Sequence, residues 1–201
     1  VVGYSPNTVI IDLGTNVDTR PGLLVDFAAL GNIMSKLVYK NENPRVALLS
    51  VGSEKGKGNA LVKQTTELLA SADLNFIGNI EPNDLPTGKA EVVLCDGFVG
   101  NVILKLTEGL GDAVVEHVKE VLGETEESDN LSNEIFERMN ILQAFGGGPL
   151  LGVNGLAIVG HGASGENAIA NAIGTAKYVM ETGLIGAQQA ELDRIRAEVI
   201  D

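Results

Sequence analysis

Short apolar runs alternate with longer stretches of helical spacing along most of this chain. Thr8–Leu13 (TVIIDL) is a β-branched run that ends in a polar turn, Gly14-Thr15-Asn16-Val17-Asp18. Leu23–Tyr39 follows, with Leu24, Phe27, Ala28, Ile33, Leu37 and Val38 near one side of a helix. Asn43-Pro44 stops it, because the residue before a proline is pushed out of the helical region. Arg45–Val51 is the next predicted strand and Asn59–Ala70 the next helix. Asn75–Ile80 and Ala90–Cys95 are two further strands. Gly100–Leu122 predicts a long helix, with Val102, Leu106, Leu110, Val114, Val118 and Leu122 spaced four apart. Leu156–Val159 predicts a last strand, and Ser164–Glu181 and Leu184–Ile200 two closing helices.

Strands that alternate with helices make βαβ units and a mostly parallel sheet. The strands are almost wholly apolar, as expected where helices cover both faces. The predicted class is therefore α/β, with three layers. In such sheets ligands bind beyond the carboxyl ends of the strands, and the polar residues of this chain gather there. Asp12 and Asn16 follow the first strand, Gly52–Asn59 the second, and Asn79 and Glu81 the third. Asp96 and Asn101 follow the fourth, and His161 and Ser164 the last. Glu124–Asn140 breaks the rhythm, with six carboxylates against Arg138 alone. It reads as an acidic, solvated excursion at 123–140 within one α/β domain spanning 1–201.

Composition narrows the function classes. The net charge is −13, from 14 basic and 27 acidic residues, which argues against nucleic-acid binding. Apolar residues make up 44% of the chain, which excludes wholesale disorder. No stretch reaches the roughly 20 uninterrupted apolar residues of a membrane span. With Cys95 as the single cysteine, an internal disulfide and a cysteine-based zinc site are both excluded. A reduced, cytoplasmic setting fits. The chain opens at Val1-Val2-Gly3 without Met, which fits processing, cloning or a piece of a longer protein.

Gly52–Asn59 (GSEKGKGN) has the look of a phosphate loop. Glycines let backbone N–H groups approach an anion, a helix N-terminus follows, and Lys55 and Lys57 add charge. It lacks the spacing and the Ser/Thr of a Walker A motif, which argues against nucleotide triphosphate hydrolysis. The plainer reading is a turn with solvated lysines. Lys36–Lys63 is locally basic, at +4 from six cations and two carboxylates, and suits an acidic partner or ordinary surface mixing. Asp12, Asp18, Glu81 and Asp96 are of the type that binds Mg²⁺ or serves as a general base. Each alone is more simply a helix cap or turn residue, Asp96-Gly97 above all. His161 stands between two glycines directly after a strand, a site candidate. Ser164 reads as an N-cap and Cys95 as a buried small hydrophobe. Gly146-Gly147-Gly148-Pro149 and the following Leu150-Leu151 read as the wall of an acyl channel, an anion contact or a connector.

Several of these stretches together closely resemble one family, in the right order and over nearly the whole chain. They are Ile11–Asp18, Asn43–Leu49, Gly52–Asn59, Asn75–Glu81, Gly88–Val102, Gly146–Gly155 and His161-Gly162. The family is the soluble phosphate acyltransferase of bacterial phospholipid synthesis. The resemblance implies a three-layer α/β/α fold like that of isocitrate and isopropylmalate dehydrogenases, and a homodimer. It implies transfer of a fatty acyl group from acyl carrier protein to inorganic phosphate, with phosphate as the nucleophile and no acyl-enzyme. Within that chemistry, Gly56, Lys57, Gly58 and Asn59 are the expected phosphate contacts. Asn16, Asp96, Asn101 and His161 are expected to complete or orient the site, with Asp12 behind them. No cofactor and no metal are expected.

The chain departs from the family in three ways. Members extend further at the N-terminus, so the chain reads as a C-terminal portion whose cleft is incomplete. Ser53 stands where the family carries Glu. The region before the triple glycine is acidic, where membrane-associating members are amphipathic and basic, which argues against more than peripheral membrane contact. Two other readings stay open: an acyl-coenzyme A enzyme of the phosphotransacetylase kind or a dehydrogenase of the same fold, and a non-catalytic, anion-binding, dimerising piece. No GxGxxG follows a strand, which lowers the dehydrogenase reading.

Overall fold

The structure, a computed structural model, describes residues 7–123, 125–139, 146–160 and 165–199. Four strands form one parallel sheet in the order β1-β4-β2-β3: β1 (Val9–Ile11), β2 (Val46–Leu49), β3 (Phe76–Ile80) and β4 (Val92–Leu94). The register runs Val9↔Val92 and Val46↔Val92 across the centre. β2 and β3 pair Val46 with Phe76 but Leu48 with Asn79, a one-residue bulge on β3.

Alternation along the strands splits the core in two. Val46, Leu48, Val92 and Leu94 face α1 (Pro21–Val38), α2 (Ala60–Leu69) and the last helix, α6 (Leu184–Val199). Ala47, Leu49, Val93 and Cys95 face the other way, towards Leu85 of a short 3₁₀ helix (Pro82–Thr87) and the start of α3 (Gly97–Leu122). The result is the expected three-layer α/β/α arrangement. α1 is apolar nearly all round because the sheet lies on one side and α6 on another. It is long and apolar enough, by length and composition, to cross a membrane, yet 56% of it is buried inside the protein, as a core helix should be.

Two regions differ from the pattern read along the chain. Leu156–Val159 does not extend the parallel sheet. Ile158-Val159 (β6) instead pairs antiparallel with Gly148-Pro149 (β5), and Val159 is 61% exposed. A two-residue strand following a glycine turn has too little apolar surface to enter a doubly covered sheet. The acidic stretch holds a helix, α4 (Glu126–Met139), packed along α3. Thr125 and Ser128 start it by exchanging bonds: Ser128 N donates to Thr125 Oγ1 and Thr125 N to Ser128 Oγ. Most of its side chains remain in solvent. α5 (Glu166–Glu181) and α6 close the chain.

Candidate functional site

β1 and β2 lead into helices on one face of the sheet, and β4 leads into α3 on the other. The crevice between such opposed connections is where ligands bind in open α/β sheets. Asp12 opens it. The residue is 6% exposed, and its carboxylate is fully occupied. Oδ1 accepts from the amides of Gly14 and Thr15, both at 2.9 Å. Oδ2 accepts from the Asn16 amide at 2.6 Å and from Asn16 Nδ2 at 2.9 Å. Burial pushes this carboxyl up, but the bonds from Thr15, the Asn16 side chain, Gly14 and the Asn16 amide together outweigh it. Asp12 is thus a fixed anion that shapes the turn 12–16.

That turn is locked to the start of α3. The Gly97 amide donates to the Asn16 carbonyl at 2.9 Å. Gly100 packs so closely that an added Cβ would lie 1.8 Å from the Asp12 carbonyl oxygen, so only glycine fits. Asn101, one residue on, lies beside Gly14, where a Cβ would come within 3.5 Å of its Oδ1. Asn16 and Asn101 are therefore brought together. Asp96 joins them as the N-cap of α3, its Oδ1 accepting from Val99 N at 2.8 Å. Cys95 is buried, and its thiol is pushed up to about 12 by that burial and by the charges of Asp96 and Asp12. It stays a neutral thiol, not a nucleophile.

The loop 52–59 follows β2. Asn59 caps α2, its Oδ1 accepting from Val62 N at 2.9 Å, which leaves its Nδ2 hydrogens for other work. Gly56 and Gly58 both take positive φ, +89° and +99°. Lys57 is exposed and has no ion-pair partner among the described residues. The loop is braced from β3, with Asn79 Nδ2 donating to the Lys57 carbonyl and Ser53 N to Glu81. The expected phosphate contacts thus share one loop, with Gly58 and Asn59 next to Asp96 on a common cavity wall. Lys57 lines neither of the cavities described below. His161 and Ser164 lie outside the described residues.

Two cavities open here. The larger, about 440 Å³, has an apolar body that includes Phe27, Leu30, Met34, Leu150 and Leu151. Its polar lining is Asp12, Thr15, Asn16 and Asn101. Leu150 and Leu151 thus line a cavity, as one reading of the triple-glycine region had it. The smaller, about 210 Å³, lies between the carboxyl ends of β2 and β4 and holds Ser50, Asn59 and Asp96. Thr15 and Ser50 were not singled out by sequence reasoning. The only signal for Ser50 is a lone hydroxyl at the end of an apolar strand, before a glycine loop. Among the described residues, no group of three His, Cys, Asp or Glu side chains is placed to hold a metal ion.

Comparison with known proteins decides the family. The model of the fatty acid synthesis protein family matches residues 2–186. The chain belongs to this family. The phosphate acyltransferase of Desulfitobacterium hafniense is 43% identical over 198 residues, covering 94% of this chain and 59% of that protein. The one from Halothermothrix orenii is 41% identical over 195 residues, 93% of this chain and 58% of its own length. The one from Syntrophomonas wolfei is 41% identical over 201 residues, 97% and 60%. The chain therefore spans about three fifths of the length of these relatives. Within the family match fall the Asp12 turn, the loop 52–59, the head of α3 and the Gly148–Leu151 wall.

Proposed function

We propose that this chain forms part of an enzyme that transfers a fatty acyl group from acyl carrier protein to inorganic phosphate in the cytoplasm. One observation supports this beyond family membership. An apolar cavity of about 440 Å³, lined in part by Thr15, Asn16 and Asn101, lies at the sheet edge that also carries the glycine-lysine loop. In the proposed reaction a phosphate oxygen attacks the thioester carbonyl carbon. The C–O bond forms, the C–S bond breaks, and the sulfur leaves as thiolate and takes a proton from water. The Lys57 ammonium and the amides of Gly56 and Gly58 hold the phosphate. The carboxamides of Asn16 and Asn101 face the oxygen on which charge develops, and a preorganised donor there is a large source of rate. Asp96 holds the head of α3, and with it Asn101, in place. His161 belongs to the same expected set.

Hydroxylamine trapping of acyl phosphate tests the reading, with palmitoyl-acyl carrier protein and phosphate as substrates. The signal is expected from the chain joined to the remaining length of its relatives, and absence of signal from that longer protein would sink the reading. A signal with palmitoyl-coenzyme A alone would favour the phosphotransacetylase-like alternative. Within an active protein, Lys57→Ala should raise KM for phosphate about tenfold, the worth of one charge-assisted bond. An unchanged KM removes Lys57 from the site.

The homodimer belongs to the same proposal. α3 presents Val102, Leu106, Leu110 and Val114 to solvent, each at least 40% exposed, as one stripe. A contiguous apolar stripe of this kind marks an interface, and a second copy of the chain is the occupant proposed. Leu106→Glu should convert dimer to monomer in sedimentation, and a species unchanged in mass would reject this face.

A further inference from the structure

The buried face of α6 runs Leu184, Gln188, Leu192 and Ile195. That spacing is the apolar stripe of a core helix, with a polar side chain set into it. Gln188 is 5% exposed. A buried carboxamide costs free energy unless it is hydrogen-bonded, and a leucine here would fill the stripe without that cost. Gln188 Oε1 accepts from the Gly152 amide at 2.7 Å. Gly152 is itself exposed, so water can serve that amide without help from a buried side chain. The bond is therefore not needed to satisfy the backbone. What it does is tie the segment ahead of Gly152 to α6.

That segment is a wall of the larger cavity. Gly148, Pro149, Leu150 and Leu151 line the cavity together with Phe27, Leu30 and Met34 of α1. The wall stands apart from the parallel sheet. β5 and β6 form a separate two-stranded sheet, and the Leu150 amide bonds within the same hairpin, to the Ala157 carbonyl at 2.8 Å. Leu151 packs against both the core cluster of Leu192 and Ile195 and the cluster of Leu184. Gln188 lies between those clusters on α6, one turn from Leu184 and one from Leu192. Gly152 takes φ +76°, and a Cβ there would lie 3.4 Å from Leu30 Cδ1, itself part of the cavity. A shift at Gly152 thus moves Leu151 relative to Leu30.

We propose that Gln188 is a positioning residue for the larger cavity. By holding Gly152 it fixes the Leu150–Leu151 wall, and so sets how tightly the cavity grips an alkyl chain and how sharply it reads the length of that chain. The assignment rests on the reading that the acyl arm enters this cavity. Gln188 lies beyond residue 186, where the family match ends, so family membership does not assign it.

Two variants of similar length separate this role from stability. Gln188→Met removes the acceptor and completes the apolar stripe. Gln188→Glu keeps an acceptor oxygen for the Gly152 amide and puts a carboxyl in the core. Gln188→Met should hold or raise Tm, and Gln188→Glu should lower it. The wall should respond in the opposite order. Hydrogen exchange at the Gly152 amide should quicken roughly tenfold in Gln188→Met and stay near wild type in Gln188→Glu. Calorimetry with 1-octanol and 1-decanol then reads the cavity. The wild-type chain should gain about fourfold in affinity per added methylene. Gln188→Met should bind decanol about fivefold more weakly, one hydrogen bond's worth of preorganisation, and lose most of the gain with length. Gln188→Glu should keep both, and if it does not fold, Gln188→Met alone decides. Affinity that follows Tm, with Gln188→Met binding as well as wild type, overturns the proposal. So does unchanged Gly152 exchange in Gln188→Met. Absence of decanol binding by the wild-type chain overturns it too, even where the longer protein forms acyl phosphate. Decanol binding that depends on Gln188, without acyl phosphate from the longer protein, keeps the role of Gln188 and rejects the acyltransferase reading.

Discussion

At Asp12, four hydrogen bonds override the cost of burying a carboxylate. Asp12→Asn keeps the shape but turns one acceptor oxygen into a donor facing N–H groups. It should cost about 2–3 kcal/mol at pH 7 in urea denaturation. The pH dependence has a definite sign. The folded carboxyl lies below its ordinary value, so its contribution is complete above about pH 4 and is lost as pH falls through the lower folded value. The wild type should lose stability steeply below pH 4, and Asp12→Asn less so over the same range. A parallel acid profile would show that Asp12 does not act this way. The placing of Asp12, Asn16, Asp96 and Asn101 at the strand ends was legible in the sequence, because residues just past apolar runs lie there. That of Ser50 was not, since a lone serine in an apolar strand reads as one more strand position until its lack of a partner among the described residues is seen.

α3 joins the sheet edge to the surface of the protein. Its first turn is fixed by the Asp96 cap and by the backbone contact at Gly100. Gly100→Ala should push that turn away from Asp12 and destabilise the fold by about 3 kcal/mol or more, because backbone cannot yield as a flexible side chain would. Thermal unfolding measures it, and a cost below about 1 kcal/mol would mean that the contact is looser than described. The helix and its spacing were plain in the sequence, although the predicted start at Gly100 lies three residues after the observed Gly97. α4 was harder to see. Its apolar positions are few, and its acidic first turn looks like solvated chain until the Thr125–Ser128 exchange is recognised as a helix start. β6 was overread, because two β-branched residues carry strand propensity without saying which sheet they join.

Across the molecule, α6 closes the fold although the family match ends at residue 186, near its start. Ile195 is fully buried against the α1 side of the core. Arg196 pairs with Asp26 of α1 at 2.7 Å, and Asn32 of α1 donates to Glu191 at 2.7 Å. The Arg194 guanidinium beside Glu191 holds that carboxyl below its usual range. Ile195→Ala should cost 2–5 kcal/mol, the range for truncating a buried isoleucine, and lower Tm accordingly. A cost near zero would detach α6 from the cooperative unit. The three layers were legible because periodicity, strand composition and strand-end polarity agreed. The ordering of the strands was not, because it depends on contacts far apart in the chain. Finally, Asn101 and the stripe from Val102 to Val114 share one rigid rod. A partner that grips the rod along its outer side sets how firmly Asn101 is held at the inner end. Under the proposed dimer, occupancy of the cavity and association along α3 would be thermodynamically linked, and a ligand that tightens one would be tightened by the other by the same factor.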